Sequence, residues 1–598
     1  MIRHHKLPFG AEYLGSGRTR FSVWTPAAES MELVLEGEDR LMERGEDGFF
    51  ALTTEAAPGA RYRYRMDGGQ EFPDPASRHQ PEDVHGPSAV VDPGEFDWHD
   101  EGWKGRPWHE TVLYELHVGT FSPEGTFAGV MKRLDLLSDL GVTAIELMPL
   151  ADFPGGRNWG YDGVLPFAPD GSYGTPEDLK VLVQTAHDRN MQVFLDVVYN
   201  HFGPEGNYLP VYAPDFFTDR HETPWGPAIN FDGAGSQHVR EFFVHNALYW
   251  LKEYHIDGLR LDAVHAIADD SEEHFLSELA RRVRNGPGSD RHIHLVLENE
   301  ENQSSRLHPG LYDAQWNDDV HHALHTALTD EDAAYYADYA GSPVRHLGRC
   351  LAEGFAYQGE RSGHRGNERG EPGAHLPPTS FVAFLQNHDQ IGNRAFGDRI
   401  SDLAPPEAVR AAAAIYLLSP QVPMLFMGEE WAASSPFLFF CDFEEGLAPP
   451  VTEGRREEFA KFPEFADPAT RGRIPDPSAV ETFETSKLDW EERGKPEYTV
   501  WLDLYRELLS IRHDEIVPRI AGISGGQAWY QTVGKRGLEV RWMLGEGSRL
   551  TLLANLGDEA FGGFERPEDN LLYAANGAET GNELPAWSVA WYLRKNDE

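Results

Sequence analysis

The sequence is poor in cysteine and in positive charge. Two cysteines, Cys350 and Cys441, occur in 598 residues, which excludes a disulfide framework and indicates a reducing compartment. Lysine and arginine number 52 against 98 aspartates and glutamates, so the formal net charge is −46. Because binding to a phosphate backbone needs clustered cations, nucleic acid and anionic membranes are disfavoured as the main partners.

Long apolar runs are also missing. The most apolar stretch, residues 411–427, is interrupted by Pro420, Gln421 and Pro423 and is too short to span a bilayer. The first residues, MIRHHKLPFGAEYL, contain no apolar signal region. We therefore predict a cytoplasmic protein. The length of the chain indicates two to four domains.

Both ends of the sequence have the pattern of antiparallel sheet. Residues 1–97 contain alternating apolar and polar segments, such as RTRFSVWTPAA and ARYRYRMDG, separated by Gly, Pro and Asp turns. Similar segments return after about residue 521, in AWYQTV, LEVRWML and SVAWYLR. We predict an N-terminal β-sandwich domain over 1–97 and a C-terminal β-domain over 521–598.

Between these regions, short apolar runs alternate with amphipathic helices. Near-continuous apolar strands that alternate with helices indicate a parallel sheet covered on both faces. Eight such runs predict an α/β fold, a (β/α)8 TIM barrel over 98–520, with a short excursion near 201–240. A doubly wound open sheet is the alternative. The eight runs are VLYELHV, AIELMPL, VFLDVV, GLRLDAV, IHLVLE, DAQWN, FVAFLQN and PMLFMG.

Acids and histidines follow several of these strands, at the edge where a barrel places its active site. Arg260 and Asp262 are two residues apart on a strand, so both side chains point to the same face. A neighbouring arginine keeps a carboxylate ionised, as a nucleophile requires. A structural Arg–Asp pair is the alternative. Asp196 is either a further site residue or a buried structural acid.

Two more acids complete the set. Glu298 follows the apolar run HIHLVL, and apolar neighbours and nearby acids raise the pKa of a carboxyl group, as a general acid requires. A solvated acidic loop is the alternative for this segment. Asp389 lies in NHD, where Asn and Asp also commonly begin turns. Two carboxyl groups on either side of a glycosidic bond are the usual requirement for its hydrolysis.

Four segments in this order resemble the signature regions of the α-amylase family of glycoside hydrolases. They are DVVYNH (196–201), GLRLDAVH (258–265), the strand-end Glu298 and NHD (387–389). The resemblance implies that Asp262 is the nucleophile, Glu298 the proton donor and Asp389 the stabiliser of the transition state. It also implies retention of configuration, which requires two carboxyl groups about 5–5.5 Å apart. The N-terminal sandwich resembles the carbohydrate-binding module of branching and debranching members.

Longer segments resemble the trehalohydrolases of this family. They are LQNHDQIGNRAFGDRI (385–400), MGEEWAASSPFLFFCDFEEGLAPPVTEGRREEF (427–459) and SKLDW (486–490). This resemblance implies hydrolysis of the α-1,4 bond next to the terminal trehalose of maltooligosyl trehalose, in trehalose biosynthesis from maltodextrin. A maltooligosyltrehalose synthase is the implied functional partner. The segment ENEENQ (298–303) differs from the sequence that usually follows the proton donor in this family. No cofactor and no metal are predicted, because the 201–240 excursion shows no full set of oxygen ligands.

The resemblance also implies a set of substrate-binding residues. Arg260, His201 and His388 are expected to line the subsite on the side of the nucleophile. Tyr161 is expected to stack on that sugar, with loop packing as the alternative. The segment DDVHH (318–322) resembles a substrate-lining piece, and a helix start capped by Asp is the alternative. The other predicted binding residues adjoin these segments: Leu261, Ala263, Val264, His265, Asp318, Asp319, Val320, His321, His322, Gln390, Ile391, Gly392 and Asn393.

Two other functions stay open at the level of the sequence. A branching or debranching enzyme has the same layout and the same three acids. A non-catalytic glucan-binding protein on an amylase barrel belongs to a different class, and such proteins generally lose one of the acids. Because all three acids are present, we predict an enzyme. The polar, Gly-rich segment 361–373 is predicted to be a flexible loop of the barrel.

Overall fold

A closed barrel of eight parallel strands forms the centre of the molecule. The computed structural model describes residues 4–223, 226–308, 310–462, 465–581 and 583–596. Each barrel strand is hydrogen-bonded to the next and the last to the first, which confirms the TIM barrel and excludes the open sheet. The strands are β1 Leu113–Leu116, β2 Ala144–Leu147, β3 Gln192–Val197, β4 Gly258–Leu261, β5 His294–Leu297, β6 Ala314–Trp316, β7 Phe381–Ala383 and β8 Val422–Phe426.

Helices connect these strands. The first long one starts at a capping box, in which Thr175 and Asp178 exchange hydrogen bonds and Pro176 occupies the first turn. The apolar stretch 411–427 proves to be the end of one helix and the whole of β8. The helices of eight or more residues are α1 Pro176–His187, α2 Ser236–Glu253, α3 Phe275–Asn285, α4 Asp318–Thr329, α5 Pro343–Glu353, α6 Pro406–Leu418, α7 Ala448–Glu458 and α8 Pro496–Ile511.

Antiparallel sheets precede and follow the barrel, as the sequence predicts. The N-terminal pair packs around a small core of its own, which includes Phe21, Leu33 and Tyr62. One sheet contains Gly10–Gly15, Arg18–Trp24, Glu43–Arg44 and Phe49–Glu55, and the other contains Met31–Leu35, Glu38–Leu41, Arg61–Met66, Glu71–Phe72 and Ser88–Ala89. The C-terminal sheet contains Ala528–Val533, Gly537–Met543, Arg549–Asn555, Asn570–Ala575 and Ser588–Arg594, beside the pair Phe561–Gly562 and Glu583–Leu584.

One hydrophobic core connects all three regions. It joins Phe9 and Trp24 of the N-terminal region to the barrel, and Trp542 and Trp591 of the C-terminal sheet to the same cluster. Among the described residues, no helix has the length and apolar character needed to cross a membrane. The domain limits at about residues 97 and 520 stay a prediction.

The connection after β3 makes the predicted excursion. It contains a short helix, Leu209–Tyr212, and a two-stranded hairpin of Phe217–Thr223 and Gly226–Ile229. A second hairpin, Ala151–Asp152 with Leu165–Pro169, follows β2. Both lie in connections that follow the carboxyl ends of barrel strands, so they border the edge where the predicted site residues are.

Candidate active site

The predicted acids come together because parallel strands end at one edge of the barrel. Asp196 lies in β3 and pairs in register with Arg260 of β4. Asp262 directly follows β4, and Glu298 directly follows β5. Asp389 is the second residue of a short helix, His388–Gly392, which comes after β7. These side chains, which lie at the ends of four strands, therefore meet at the same opening of the barrel.

The guanidinium of Arg260 is the centre of this group. It is fully buried, and its Nη1 lies 2.6 Å from Asp196 Oδ2 and 3.0 Å from Asp262 Oδ1. Its Nη2 lies 2.8 Å from Glu298 Oε2. The indole of Trp316 stacks beneath it, 4.0 Å from the guanidinium carbon to the ring centroid. Asp262 and Glu298 therefore contact the same cation, which keeps the two carboxyl groups close together.

Asp262 is held in its ionised form. Burial alone would raise its pKa, but Arg260 opposes this, with further help from His201 and Asn200, and the pKa lies below its usual value. Asn200 donates its amide to Asp262 Oδ2 at 2.7 Å and to the Asp262 carbonyl at 2.8 Å. A carboxylate that stays ionised and accepts hydrogen bonds has the state required of a nucleophile.

Glu298 has the opposite tendency. Burial raises its pKa well above the usual value; Arg260 opposes this, and the negative charges of Asp262, Asp389 and Asp318 add to the increase. The backbone N–H of Ala263 donates to Glu298 Oε2 at 2.8 Å. A carboxyl group that keeps its proton near neutral pH can act as a general acid.

Tyr161 and two histidines form the wall beside Asp262. The Tyr161 hydroxyl donates to Asp196 Oδ2 at 2.6 Å, and its ring stacks on His388 with centroids 5.1 Å apart. His201 Nε2 lies 2.9 Å from the Tyr161 carbonyl. Burial, opposed mainly by Arg260, raises the pKa of Asp196 to about 6. Asp196 thus anchors both Arg260 and Tyr161 from beneath the site.

A cavity of ≈ 780 Å³ opens over these residues. Twelve of the predicted site residues line it: Tyr161, His201, Asp262, Ala263, His265, Glu298, Asp318, His322, His388, Asp389, Gln390 and Asn393. The other predicted residues lie behind this wall and are buried: Arg260, Leu261, Val264, Asp319, Val320, His321, Ile391 and Gly392. Gly392, for example, packs so closely on Trp159 that a Cβ would lie 2.1 Å from the indole.

Some residues of the segment DDVHH line the cavity and others are buried behind it, because the segment forms the start of α4. Asp318 faces the cavity and accepts from Gln390 Nε2 at 3.1 Å. Asp319 points into the protein, where it accepts from Asn302 Nδ2 at 3.0 Å and lies 2.9 Å from Arg369 Nη1. The segment does begin a helix, but the residue at the cap position is Asn317 and no aspartate side chain caps it. Contact of the segment with substrate stays a prediction, and only one of the two adjacent aspartates faces the cavity, since adjacent residues of a helix face different sides.

Ten further residues line the cavity without having been predicted. They are Trp159, Asp162, Glu300, Tyr335, Asp338, Tyr339, His364, Arg365, Arg369 and Phe439. Arg365 belongs to the segment expected to be a flexible loop, but it pairs with Glu301 at 2.9 Å and also with Glu300. The Arg–Glu contacts join residues about 65 positions apart, so no local pattern of the sequence could indicate them.

Two groups of metal-ligand type lie away from the cavity. Their ligand atoms come within 4.8 Å of one another: His85, Glu205 and Glu444 in one group, and His221, Asp232 and Asp270 in the other. In the second group Arg220 already contacts Asp232 at 2.8 Å, so a cation of the protein occupies that carboxylate. Neither group includes a residue of the cavity wall, and the absence of a metal stays a prediction.

Models of three protein families match parts of the chain. The α-amylase catalytic domain matches residues 86–214. Carbohydrate-binding module 48, the isoamylase N-terminal domain, matches residues 8–83, and a domain of unknown function (DUF3459) matches residues 526–591. These matches agree with a catalytic barrel that is preceded and followed by β-rich regions.

Similarity to known proteins extends over nearly the whole chain. A malto-oligosyltrehalose trehalohydrolase of Deinococcus radiodurans is 44% identical over 90% of this chain and 89% of its own, and one of Saccharolobus solfataricus is 41% identical over 89% and 92%. A crystal structure of a Salmonella typhimurium protein assigned as an alpha amylase superimposes with a TM-score of 0.94 at 44% identity, covering 98% of this chain and 99% of the other. This chain therefore belongs to the malto-oligosyltrehalose trehalohydrolase family, within the α-amylase family of glycoside hydrolases.

Proposed function

We propose that this protein hydrolyses the α-1,4-glucosidic bond next to the terminal trehalose of maltooligosyl trehalose and releases trehalose. The observation that carries the hydrolytic part is the contact of Asp262 and Glu298 with one guanidinium in one cavity, where the pKa of Asp262 is lowered and that of Glu298 is raised. The names of the relatives, which cover most of this chain, support the choice of bond and product.

The reaction proceeds by double displacement. Glu298 protonates the glycosidic oxygen while Asp262 attacks the anomeric carbon, which forms a covalent β-glucosyl intermediate. Glu298, now ionised, takes a proton from water as the water attacks that carbon, and the product keeps the α configuration. The contact of both carboxyl groups with Arg260 supports the short separation that a retaining pair requires.

The other residues bind the sugars around this centre. Asp389 is the stabiliser of the transition state, through hydroxyl groups of the distorted sugar on the nucleophile side. Tyr161, His201 and His388 line that subsite, and Arg260 supports it from below. Asp318, His322, Gln390 and Asn393 are placed to contact the substrate further along the cavity.

The buried residues of the predicted substrate-binding set would act indirectly, by supporting the residues that line the cavity. Leu261, Val264, Ile391 and Gly392 shape the segments that carry Asp262 and Asp389. We also infer that the substrate is supplied by an enzyme that places trehalose at the reducing end of an α-glucan, a maltooligosyltrehalose synthase.

Two substrates of equal glucose count test this function. One is a linear maltooligosaccharide and the other ends in trehalose at its reducing end. We expect rapid release of trehalose from the capped substrate and slow cleavage of the linear one, and no product from the Asp262→Ala variant, which controls for contaminating activity. Equal cleavage of both would indicate a general α-1,4-glucanase. Transfer of chains into α-1,6 links, or loss of such links, would indicate a branching or debranching enzyme.

A further inference from the structure

Two buried glutamates, one on β1 and one on β2, lie within the barrel below the active site. Glu115 and Glu146 are partners in the register of these neighbouring strands, and each is 1% exposed. The proposed reaction uses neither of them. The two glutamates differ in their hydrogen bonds, and those of Glu115 indicate a role in the active site.

Glu115 is bonded to His388 through both of its oxygens. Its Oε1 lies 2.5 Å from His388 Nδ1, and its Oε2 accepts from the His388 backbone N–H at 3.1 Å. A carboxyl group that accepts at both oxygens has the arrangement of an ionised carboxylate. The other ring nitrogen, Nε2, lies 3.5 Å from Asp389 Oδ1 at the cavity wall. Glu115 thus contacts the side of His388 that faces away from Asp389.

Glu146 has no comparable partner. Among the described residues, neither of its carboxyl oxygens makes a hydrogen bond, and both are buried. Burial raises its pKa well above the usual value, and the charge of Glu115 adds to this. The surroundings of Glu146 therefore favour its protonated form, whereas the contacts of Glu115 are those of a carboxylate acceptor, although both residues are glutamates in the same layer of the barrel.

The surroundings of His388 favour its cationic form. The ring is packed between aromatic side chains, and burial by itself would lower its pKa, but the charges of Asp389 and Glu115 outweigh this and raise the pKa to about 9. The titratable or charged groups that face it from the surrounding elements are Glu115, His117, Glu146, Tyr161, Arg260 and Asp389. Arg260 lowers the pKa, so the two carboxylates are what keep the ring protonated.

We propose that Glu115 is a positioning residue, which fixes the His388 ring through Nδ1–H and the backbone N–H so that the Nε2–H is presented to Asp389 and to a hydroxyl group of the bound sugar. Because carboxylate oxygens only accept and the ring has Glu115 at Nδ1 and Asp389 beside Nε2, the doubly protonated ring, in which both nitrogens donate, is the form that suits this arrangement. This rests on the proposed function for the role of the sugar, but the protonation of the ring does not depend on it.

The direct test follows the ring of His388 in protein labelled with ¹⁵N at histidine, with the His388→Gln variant to assign its signals. In the native protein we expect both ring nitrogens to stay protonated through neutral pH. In E115Q, which keeps the shape but removes the charge, we expect the midpoint of titration to move to lower pH by about one unit or more. E146Q is the matched control and should leave the midpoint unchanged, because neither oxygen of Glu146 is hydrogen-bonded to His388 and burial favours its protonated form.

A second arm measures kcat/KM against pH for release of trehalose. The alkaline limb reports loss of a proton from either His388 or Glu298, so we expect the limb of E115Q to move to lower pH than that of the native enzyme, and E115D, which restores the charge, to recover part of the shift. An unchanged titration midpoint of His388 in E115Q, or an equal shift in E146Q, would overturn the proposal. If the native protein releases no trehalose, the proposed function fails, and the titration of the ring still decides the role of Glu115.

Discussion

At the proposed catalytic centre, the pKa values of Asp262 and Glu298 shift in opposite directions although both groups contact the same cation. Asp262 also accepts from Asn200, which stabilises the ionised form. Glu298 is buried and lies in the field of Asp262, Asp389 and Asp318, which stabilises the protonated form and outweighs its contacts with Arg260 and the backbone N–H of Ala263. The difference therefore comes from the other surroundings of each group, and it fits the proposed roles of nucleophile and acid.

Replacing Glu298 by Gln tests this division of roles. Turnover of the trehalose-capped substrate should fall by about 10²–10⁴-fold, because the leaving oxygen is no longer protonated. Formation of the intermediate from an α-maltosyl fluoride should persist, since fluoride leaves without a proton. With added azide, which needs no base, the E298Q variant should give the α-glycosyl azide. Asp262→Ala is the matched control, and formation of the β-azide by E298Q would reverse the two assignments.

Asp318 provides a test through pH. Burial, with the charges of Glu300 and Asp389, raises the pKa of Asp318 to about 7, and ionised Asp318 in turn raises the pKa of Glu298. Asp318→Asn removes this negative charge, so Glu298 should lose its proton at lower pH. The alkaline limb of kcat/KM should therefore shift to lower pH, measured over a pH series with the trehalose-capped substrate. A shift to higher pH would contradict this coupling.

Among the elements, strands were easier to predict from the sequence than the cavity wall. Apolar runs such as VFLDVV identify the buried strands of a barrel without knowledge of their neighbours, and all eight form strands. The acids that end those strands were predicted for the same reason. Arg365 and Glu115 were not predicted, because their partners lie about 65 and 273 residues away in the sequence and only the closed barrel brings them together.

The start of α4 gives a stability prediction for two adjacent acids. Asp319 is buried and contacts the nearly buried Arg369, whereas Asp318 faces the cavity. Asp319→Asn leaves a buried guanidinium without its carboxylate and should lower the free energy of unfolding by about 3–5 kcal/mol. Asp318→Asn should change it by less than about 1 kcal/mol. Denaturant unfolding of both variants measures the difference, and equal losses would mean that the two side chains are equally structural.

The whole molecule unfolds as one unit if its shared core is continuous. The N-terminal region is also joined to the barrel by a buried ion pair, Arg78 Nη1 to Glu253 Oε1 at 3.3 Å, with both side chains almost fully buried. The backbone N–H of His5 donates to the same glutamate at 3.1 Å. These contacts couple the β-sandwich to helix α2, and we expect calorimetry to record a single transition for the native protein.

Removing one partner of this ion pair should lower the free energy of unfolding more than removing both charges. Arg78→Met leaves the buried Glu253 carboxyl without its guanidinium partner, and we expect the free energy of unfolding to fall by about 3–5 kcal/mol. The double variant Arg78→Met/Glu253→Gln removes both charges and should recover part of that loss. Thermal unfolding of the single and double variants measures this directly. A single variant as stable as the native protein would show that the ion pair does not hold the N-terminal region on the barrel.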